Sequence, residues 1–253
     1  MKINGYKNEI VWIVGASSGI GAALARELAA RGASLALSAR RKDELEKLSS
    51  SLDGKHKVFV LDITDAETVA RTAQAIRAAY GRIDRVVFLA ATYAPMRIDT
   101  LNAAVTKQII DINLTGTFNV TEAIIPVFKT QKTKGQIALC GSVAGYMGLP
   151  GGQPYSATKA GVINLTESLY AECGRDFDVK LISPGFVRTP LTDKNDFKMP
   201  MMIEPEQAAK EIANGLLLSS FEIHFPKKFT NFLKLLRFLP YRLSLRITRN
   251  FKT

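Results

Sequence analysis

The chain has 253 residues, enough for one α/β domain, and its 47% hydrophobic and 23% charged residues are typical of a globular protein. Two cysteines argue against a disulfide scaffold, and with only two histidines we predict no metal site. No apolar run reaches the roughly 18 residues of a membrane span, and the start has no signal-peptide pattern, so we expect a cytoplasmic protein.

Apolar runs alternate with helical stretches along the chain, which predicts a parallel sheet covered on both faces. The predicted strands are residues 10–14, 34–39, 57–61, 84–90, 135–141, 178–183 and 221–225. The predicted helices are residues 19–31, 42–52, 65–80, 99–128, 154–173 and 205–218. We therefore expect an α/β fold with a doubly wound sheet of about seven strands and ligands at their carboxyl ends.

A glycine-rich turn joins the first predicted strand to the first predicted helix. Glycines let the backbone turn tightly and approach a pyrophosphate, and the helix N-terminus offers free N–H groups to phosphates. The turn predicts a dinucleotide site made of Gly15, Ser17, Ser18, Gly19, Ile20 and Gly21. For the glycines alone, the alternative interpretation is an ordinary strand-to-helix turn.

The second predicted strand ends at Arg40 and Arg41, where an acidic residue would bind an unmodified adenosine ribose. Guanidinium groups suit a 2′-phosphate instead, so we predict a preference for NADP(H), with NAD(H) possible and Arg40 the better candidate. The alternative is a solvated basic helix start. Asp62, after the third strand, is either a cofactor contact or an N-terminal cap of the next helix.

Tyr155 and Lys159 lie four residues apart in a predicted helix, which places both on one face. An ammonium group beside a phenol favours the phenolate, so we expect Lys159 to lower the pKa of Tyr155 below about 10. A phenol tuned in this way can act as an acid or base near neutral pH. Ser142 lies thirteen positions before the tyrosine, at the end of the fifth strand.

Together these motifs resemble the short-chain dehydrogenase/reductase family from about residue 8 to residue 220. That family has a G-x-x-x-G-x-G turn, a helix asparagine, a Ser…Tyr-x-x-x-Lys site and a Pro-Gly-x-x-x-Thr loop in fixed order. They match Gly15, Gly19, Gly21, Asn113, Ser142, Tyr155, Lys159, Pro184, Gly185 and Thr189. The resemblance implies a Rossmann-like fold and a nicotinamide dinucleotide cofactor.

The resemblance also implies a role for each catalytic candidate. Tyr155 would donate a proton to a carbonyl oxygen, or accept the alcohol proton in reverse, and Ser142 would stabilise charge on that oxygen. Lys159 would bind the nicotinamide ribose, and Asn113 would hold a water that links Lys159 to solvent. For Asn113 and Ser142 taken singly, ordinary structural roles are strong alternatives.

Cofactor contacts are also expected at Ala90, Pro184, Gly185, Val187 and Thr189. Two positions depart from the family pattern. Many members have Asn-Asn-Ala-Gly after the fourth strand, where this chain has Phe88-Leu89-Ala90-Ala91, and the threonine that usually precedes the first glycine is Val14. The first departure changes how that strand end contacts the cofactor.

Residues 191–203 are the expected substrate lid. The segment and its flank contain Phe197, Met199, Met201 and Met202 with Pro190 and Pro200. Methionines form adaptable apolar walls, which suits a hydrophobic substrate, but packing onto the domain is an equal alternative.

The end of the chain departs most from the family pattern. We predict a single domain over residues 1–226 and a basic amphipathic helical extension over 227–253, with Phe229, Phe232, Leu233 and Leu236 at helical spacing. Residues 221–253 carry a net charge of +7 from one acid, Glu222, and eight basic residues, Lys227, Lys228, Lys234, Arg237, Arg242, Arg246, Arg249 and Lys252. The extension packs on a sister subunit, contacts a membrane surface, or does both.

These features predict an NADP(H)-dependent oxidoreductase that interconverts a carbonyl and an alcohol on an apolar small molecule. A cofactor-binding sensor or scaffold at a membrane surface, with little turnover, is the alternative from another class. The family resemblance implies a homodimer or homotetramer. Nucleic acid is not an expected partner, because the basic residues alternate with aliphatic ones.

Overall fold

The computed structural model describes residues 5–197 and 199–249, which contain one seven-stranded parallel sheet of order β3-β2-β1-β4-β5-β6-β7. The predicted fold class is confirmed, and each predicted strand is present within two residues at either end. The strands are β1 (Ile10–Val14), β2 (Ser34–Ala39), β3 (His56–Val60), β4 (Arg85–Phe88), β5 (Gln136–Cys140), β6 (Asp178–Pro184) and β7 (Glu222–Phe225).

Helices cover both faces of the sheet, so its central strands are buried on both sides. One face packs α1 (Gly19–Ala30), α2 (Lys42–Ser50) and α7 (Pro205–Gly215) in one apolar cluster. The other face packs α3 (Ala66–Tyr80), α5 (Gly116–Thr130) and α6 (Tyr155–Cys173) in a second. The strand order reverses between β1 and β4, which opens a crevice at their carboxyl ends.

The helix predicted over residues 99–128 is present from residue 103 to residue 130, but it starts four residues later than predicted and contains a π-helical turn. The structure has a short 3₁₀ turn at Ile98–Thr100, then α4 (Ala103–Ile110), a π-helical turn at Asp111–Thr115, and α5. The Asn102 side chain accepts a hydrogen bond from the Val105 amide at 3.0 Å and so begins α4 as its N-cap. Apolar periodicity does not report the wider π turn, which is a feature frequent at functional sites.

The C-terminal segment forms α8 (Lys227–Phe238) and α9 (Tyr241–Thr248). In α8, Leu233 and Leu236 are buried in a third apolar cluster, against residues that include Tyr146 and Leu181, while Phe232 is half exposed. The division at residue 226 stays a prediction, and Lys252 lies outside the described residues. No helix in the described part of the chain is long and apolar enough to cross a membrane.

A partly buried polar network joins α8 to the edge strand β7. Glu222 of β7 accepts hydrogen bonds from the Tyr146 hydroxyl and from the Lys234 ammonium group of α8, the latter at 2.5 Å. His224 Nδ1 and the Thr230 hydroxyl lie 2.6 Å apart. Burial and the neighbouring Lys234 charge lower the pKa of His224 to about 4, so its ring is neutral at pH 7.

Candidate active site

The β1–α1 turn leaves no room for side chains at its glycines. Gly15 has φ +95°, and a Cβ there would lie 2.6 Å from the Ala90 amide nitrogen. A Cβ on Gly21 would lie 2.1 Å from the Gly15 carbonyl oxygen. The Ser18 side chain makes no capping bond to α1, so the first N–H groups of that helix have no side-chain partner there. The turn is therefore a backbone cradle of the kind that fits a dinucleotide pyrophosphate.

A cavity of about 350 Å³ lies in the crevice beside this turn. It brings together most of the predicted site residues, while Asn113 and Asp62 do not line it. The predicted residues along its wall are Gly15, Ser17, Ser18, Gly19, Ile20, Gly21, Arg40, Arg41, Ala90, Ser142, Tyr155, Lys159, Pro184, Gly185, Val187 and Thr189.

Several apolar lining residues were missed in the sequence. Val14, Ala39 and Leu61 stand at or just after the ends of predicted strands, so the rule that ligands bind at carboxyl ends would have found them. Ile112 lines the cavity from the π-helical turn, and Leu191, which was predicted as part of the substrate lid, lines it from the loop after β6. The sequence carries no comparable signal for Ile112, because only the topology brings it to the crevice.

The two arginines after β2 lie exposed at the rim of the cavity. Arg41 donates through Nη2 to the Ser17 hydroxyl at 3.0 Å and to the Ser17 carbonyl at 3.3 Å. Arg40, expected to be the better candidate, makes no such bond within the described residues. Arg41 is thus hydrogen-bonded to the glycine turn, whereas the Arg40 guanidinium group makes no bond to that turn within the described residues.

Asp62 is engaged within its own loop. Its Oδ1 accepts hydrogen bonds from the Thr64 amide at 3.0 Å and the Thr64 hydroxyl at 2.8 Å, which hold the pKa of this carboxyl below its usual value. The N-cap of α3 is Asp65, whose carboxylate accepts from the Thr68 amide. Leu61 and Ile63 line the cavity on either side of Asp62.

Ser142, Tyr155 and Lys159 converge at one end of the cavity. Ser142 follows β5, and its hydroxyl accepts a hydrogen bond from the Ala144 amide at 3.1 Å. Tyr155 begins α6, and Lys159 lies one helical turn later with its Nζ 5.6 Å from the tyrosine ring centroid. The Lys159 ammonium group is buried and donates to the Cys140 carbonyl at 2.7 Å.

The expected lowering of the tyrosine pKa is wrong for this geometry. Burial raises the pKa of the Tyr155 phenol, the nearby Cys140 and Tyr93 raise it further, and the Ser142 hydroxyl opposes them. Burial likewise lowers the pKa of Lys159. Sequence spacing places the two groups on one helix face, but it does not report how completely that face is removed from water. The phenol is therefore protonated at neutral pH and able to donate.

Asn113 lies in the π-helical turn and is fully buried. Its Oδ1 accepts from the Thr92 amide at 2.7 Å, and its Nδ2 donates to the Thr92 carbonyl at 2.9 Å and to the Thr158 hydroxyl at 3.2 Å. The side chain therefore joins the segment after β4 to α6, next to Lys159. This segment directly follows Ala91, where the sequence departs from the family pattern.

A second cavity of about 480 Å³ meets the first at Ser142 and Tyr155. The Tyr93 ring packs edge-on against the Tyr155 ring with centroids 5.2 Å apart, and Tyr93 donates to Asn195 at 2.9 Å. Most of the large side chains that line this second cavity are apolar, among them Leu149, Phe186, Leu191, Phe197 and Phe229.

The predicted lid is only partly a wall of this second cavity. Phe197 lines it, as do Leu191 and Asn195. The described methionines, Met199, Met201 and Met202, do not line it, and Met201 is exposed. Phe229 of α8, which lies outside the predicted lid, adds an apolar wall, and its ring lies 5.6 Å from that of Phe186.

A parallel sheet with a glycine cradle at its switch point, and a Ser-Tyr-Lys group beside it, defines a nucleotide-dependent oxidoreductase of the Rossmann type. The short chain dehydrogenase family model matches residues 9–199. The chain belongs to this family and is an NAD(P)-dependent oxidoreductase, as its motifs predicted.

Known relatives agree with this assignment. A 3-oxoacyl-(acyl-carrier-protein) reductase FabG of Thermotoga maritima is 34% identical over 192 residues, 74% of this chain and 78% of the relative. An uncharacterized oxidoreductase of Mycobacterium tuberculosis is 36% identical over 207 residues, 79% of this chain and 81% of the relative. A FabG of Escherichia coli is 32% identical over 188 residues, 74% and 77% of the two chains.

Proposed function

We infer that this protein is an NADP(H)-dependent oxidoreductase that interconverts a carbonyl and an alcohol on an apolar small molecule. One observation carries this proposal. Ser142 and Tyr155 stand on the wall shared by two cavities, one fitted to a dinucleotide and the other lined by apolar side chains. A cofactor bound in the first cavity and a substrate bound in the second would therefore meet beside the hydroxyl groups of Ser142 and Tyr155. The relatives named as reductases support the direction of carbonyl reduction.

Each residue of the group has a role that follows from its position. The Ser142 hydroxyl would hold the carbonyl oxygen, and the Tyr155 phenol would protonate it, because burial keeps this phenol in its acid form. Lys159, fixed by the Cys140 carbonyl, would orient the cofactor ribose, and Asn113 would hold the Thr92 segment in place. The nicotinamide supplies or accepts the hydride when it is bound.

The apolar character of the second cavity supports a hydrophobic substrate. Phe229 is a useful probe, because it lines this cavity from α8, whereas Phe232 lies three residues later and is half exposed. We expect Phe229→Ala to raise KM for longer ketones about 10-fold by removing an apolar contact, with little change for the shortest. NADPH absorbance with ketones and aldehydes of graded chain length measures this effect.

Phe232→Ala is the matched control for Phe229→Ala and should leave every KM unchanged. A Phe229→Ala variant with an unchanged chain-length trend would contradict the assignment of this cavity to the substrate. The absence of NADPH oxidation by the wild type, with NADPH still bound, would contradict turnover and favour the sensor alternative.

The preference for NADP(H) is proposed from Arg40 and Arg41 at the cavity rim. A charge-assisted hydrogen bond contributes about 1.5–3 kcal/mol, so the double variant Arg40→Gln/Arg41→Gln should raise KM for NADPH at least 10-fold. KM for NADH should change little, because that cofactor lacks the 2′-phosphate. Initial rates with both cofactors test this, and Lys47→Gln on the exposed side of α2 is the control. Equal losses for NADPH and NADH would contradict the assignment.

A further inference from the structure

The outer surface of α8 and α9 exposes an unusual number of large apolar side chains. Seven of the fifteen exposed large hydrophobic residues in the described part of the chain fall between residues 232 and 247. Phe238 is 85% exposed and Tyr241 is 82% exposed. Scattered apolar residues are normal on a protein surface, but a concentration of this kind marks an interaction site. The seven residues, called here the α8–α9 surface, are Phe232, Leu235, Phe238, Tyr241, Leu243, Leu245 and Ile247.

Exposed apolar side chains of both helices come together at the α8–α9 junction. Phe232, Leu235 and Phe238 repeat every three residues along one side of α8, while Leu233 and Leu236 on another side are buried in the domain. Phe238, Tyr241 and Leu245 line one groove of about 700 Å³ beneath the α8–α9 junction. The groove thus joins the exposed side of α8 to Tyr241 and Leu245, while Leu243 and Ile247, four residues apart, lie on a different side of α9.

Every charged side chain on the two helices is basic, since residues 227–249 contain no aspartate or glutamate. Lys234 is paired with Glu222. The other basic side chains are exposed, and within the described residues they take part in no ion pair; they are Lys227, Lys228, Arg237, Arg242, Arg246 and Arg249. The α8–α9 surface therefore combines exposed apolar side chains with uncompensated positive charge.

We propose that the α8–α9 surface docks on an anionic phospholipid bilayer. Apolar side chains of this kind enter the boundary between headgroups and acyl chains, and flanking lysines and arginines bind the negative headgroups. Charge disfavours a second copy as the partner, because two such surfaces would bring like charges together. Exposed phenylalanines and leucines distinguish the surface from one built only for phosphate contacts.

The docking surface lies next to the proposed substrate cavity without being part of it. Phe229, in the first turn of α8, lines that cavity, while Phe232 and Leu235 face outward farther along the same helix. Ala144 and Ser156 line both the substrate cavity and the groove beneath the α8–α9 junction. Docking would hold this wall of the enzyme against the bilayer. The proposal does not depend on which substrate is used.

Co-sedimentation of the full chain with vesicles tests the proposal. The wild type should pellet with phosphatidylcholine vesicles that contain phosphatidylglycerol, and much less with phosphatidylcholine alone. The triple variant Phe232→Ser/Leu235→Ser/Phe238→Ser should lose pelleting, because it removes the apolar contact while changing only exposed side chains. The matched control is Ile98→Ser/Leu101→Ser/Leu218→Ser, which changes three exposed apolar residues elsewhere and should pellet like the wild type.

The charge contribution is tested separately. Arg237→Gln/Arg242→Gln/Arg246→Gln should weaken binding to anionic vesicles on the order of 100-fold, given the contribution of each basic residue near a charged bilayer. The control Lys129→Gln/Lys132→Gln/Lys134→Gln removes the same charge from another exposed cluster and should bind unchanged. Melting curves and NADPH oxidation show that all variants are folded.

Three outcomes would overturn the proposal. The first is equal pelleting of the wild type and the apolar triple variant. The second is a concentration-dependent oligomer in sedimentation velocity that the apolar triple variant dissociates while vesicles bind neither form, which would assign the surface to a second copy. The third is tight binding of duplex DNA that survives the apolar substitutions while vesicles fail to bind.

Discussion

Replacing Tyr155 with phenylalanine is expected to lower kcat for ketone reduction on the order of 1000-fold, within the range of a lost general acid. The variant removes the phenol oxygen and keeps the ring, which packs edge-on against Tyr93. NADPH binding, followed by fluorescence, should be nearly unchanged, because the glycine cradle and the arginine rim are intact.

Tyr170→Phe is the matched control for this variant. Tyr170 lies on the same helix, is half exposed and contacts Phe221 rather than the cavity, so its substitution should leave kcat unchanged. A normal kcat in the Tyr155→Phe variant would show that the phenol is not the proton donor. Loss of NADPH binding in that variant would show a structural role instead.

The pH dependence of the wild type is a further readout of the same group. The acid form of Tyr155 is needed for reduction, and burial raises the pKa of this phenol above its ordinary value of about 10. The phenol of Tyr155 should therefore remain protonated to a higher pH than the phenol of an exposed tyrosine. The rate of reduction is expected to fall through loss of this proton only at strongly alkaline pH.

Replacing Gly21 with alanine is expected to remove NADPH binding and to destabilise the fold. The new Cβ would lie 2.1 Å from the Gly15 carbonyl oxygen, far inside contact distance, so the β1–α1 turn must open. Overpacking of this kind costs about 1–3 kcal/mol, which corresponds to a drop in Tm on the order of 5 °C in a chain of this size. NADPH titration and thermal unfolding measure the two effects.

Gly148→Ala is the matched control for the glycine substitution. A Cβ at Gly148 meets no atom within 4 Å, so this variant should match the wild type in both Tm and NADPH affinity. An unchanged NADPH affinity in Gly21→Ala would contradict the assignment of this turn to the cofactor, whatever happens to Tm. A lower Tm alone would show only that the turn is tightly packed.

The sequence determined the fold class and the order of its elements. Strands buried on both faces appear in the sequence as continuous apolar runs, so the strands could be predicted from short segments. The glycine turn between the first strand and the first helix could be predicted in the same way, because a dinucleotide site requires that local pattern. The same holds for the meeting of Ser142, Tyr155 and Lys159, because carboxyl strand ends share one edge and residues i and i+4 share one helix face.

Properties that depend on surroundings were decided only by the tertiary structure. The raised pKa of Tyr155 follows from burial by segments far away in the chain, and the spacing of two residues does not encode it. The π-helical turn that presents Asn113 to Thr92 lies inside a helix whose apolar periodicity does not indicate it. The packing of α8 against β7 places Phe229 in the proposed substrate cavity and leaves Phe232 half exposed. The sequence could not distinguish the two, because both are phenylalanines at apolar positions of the same predicted helix.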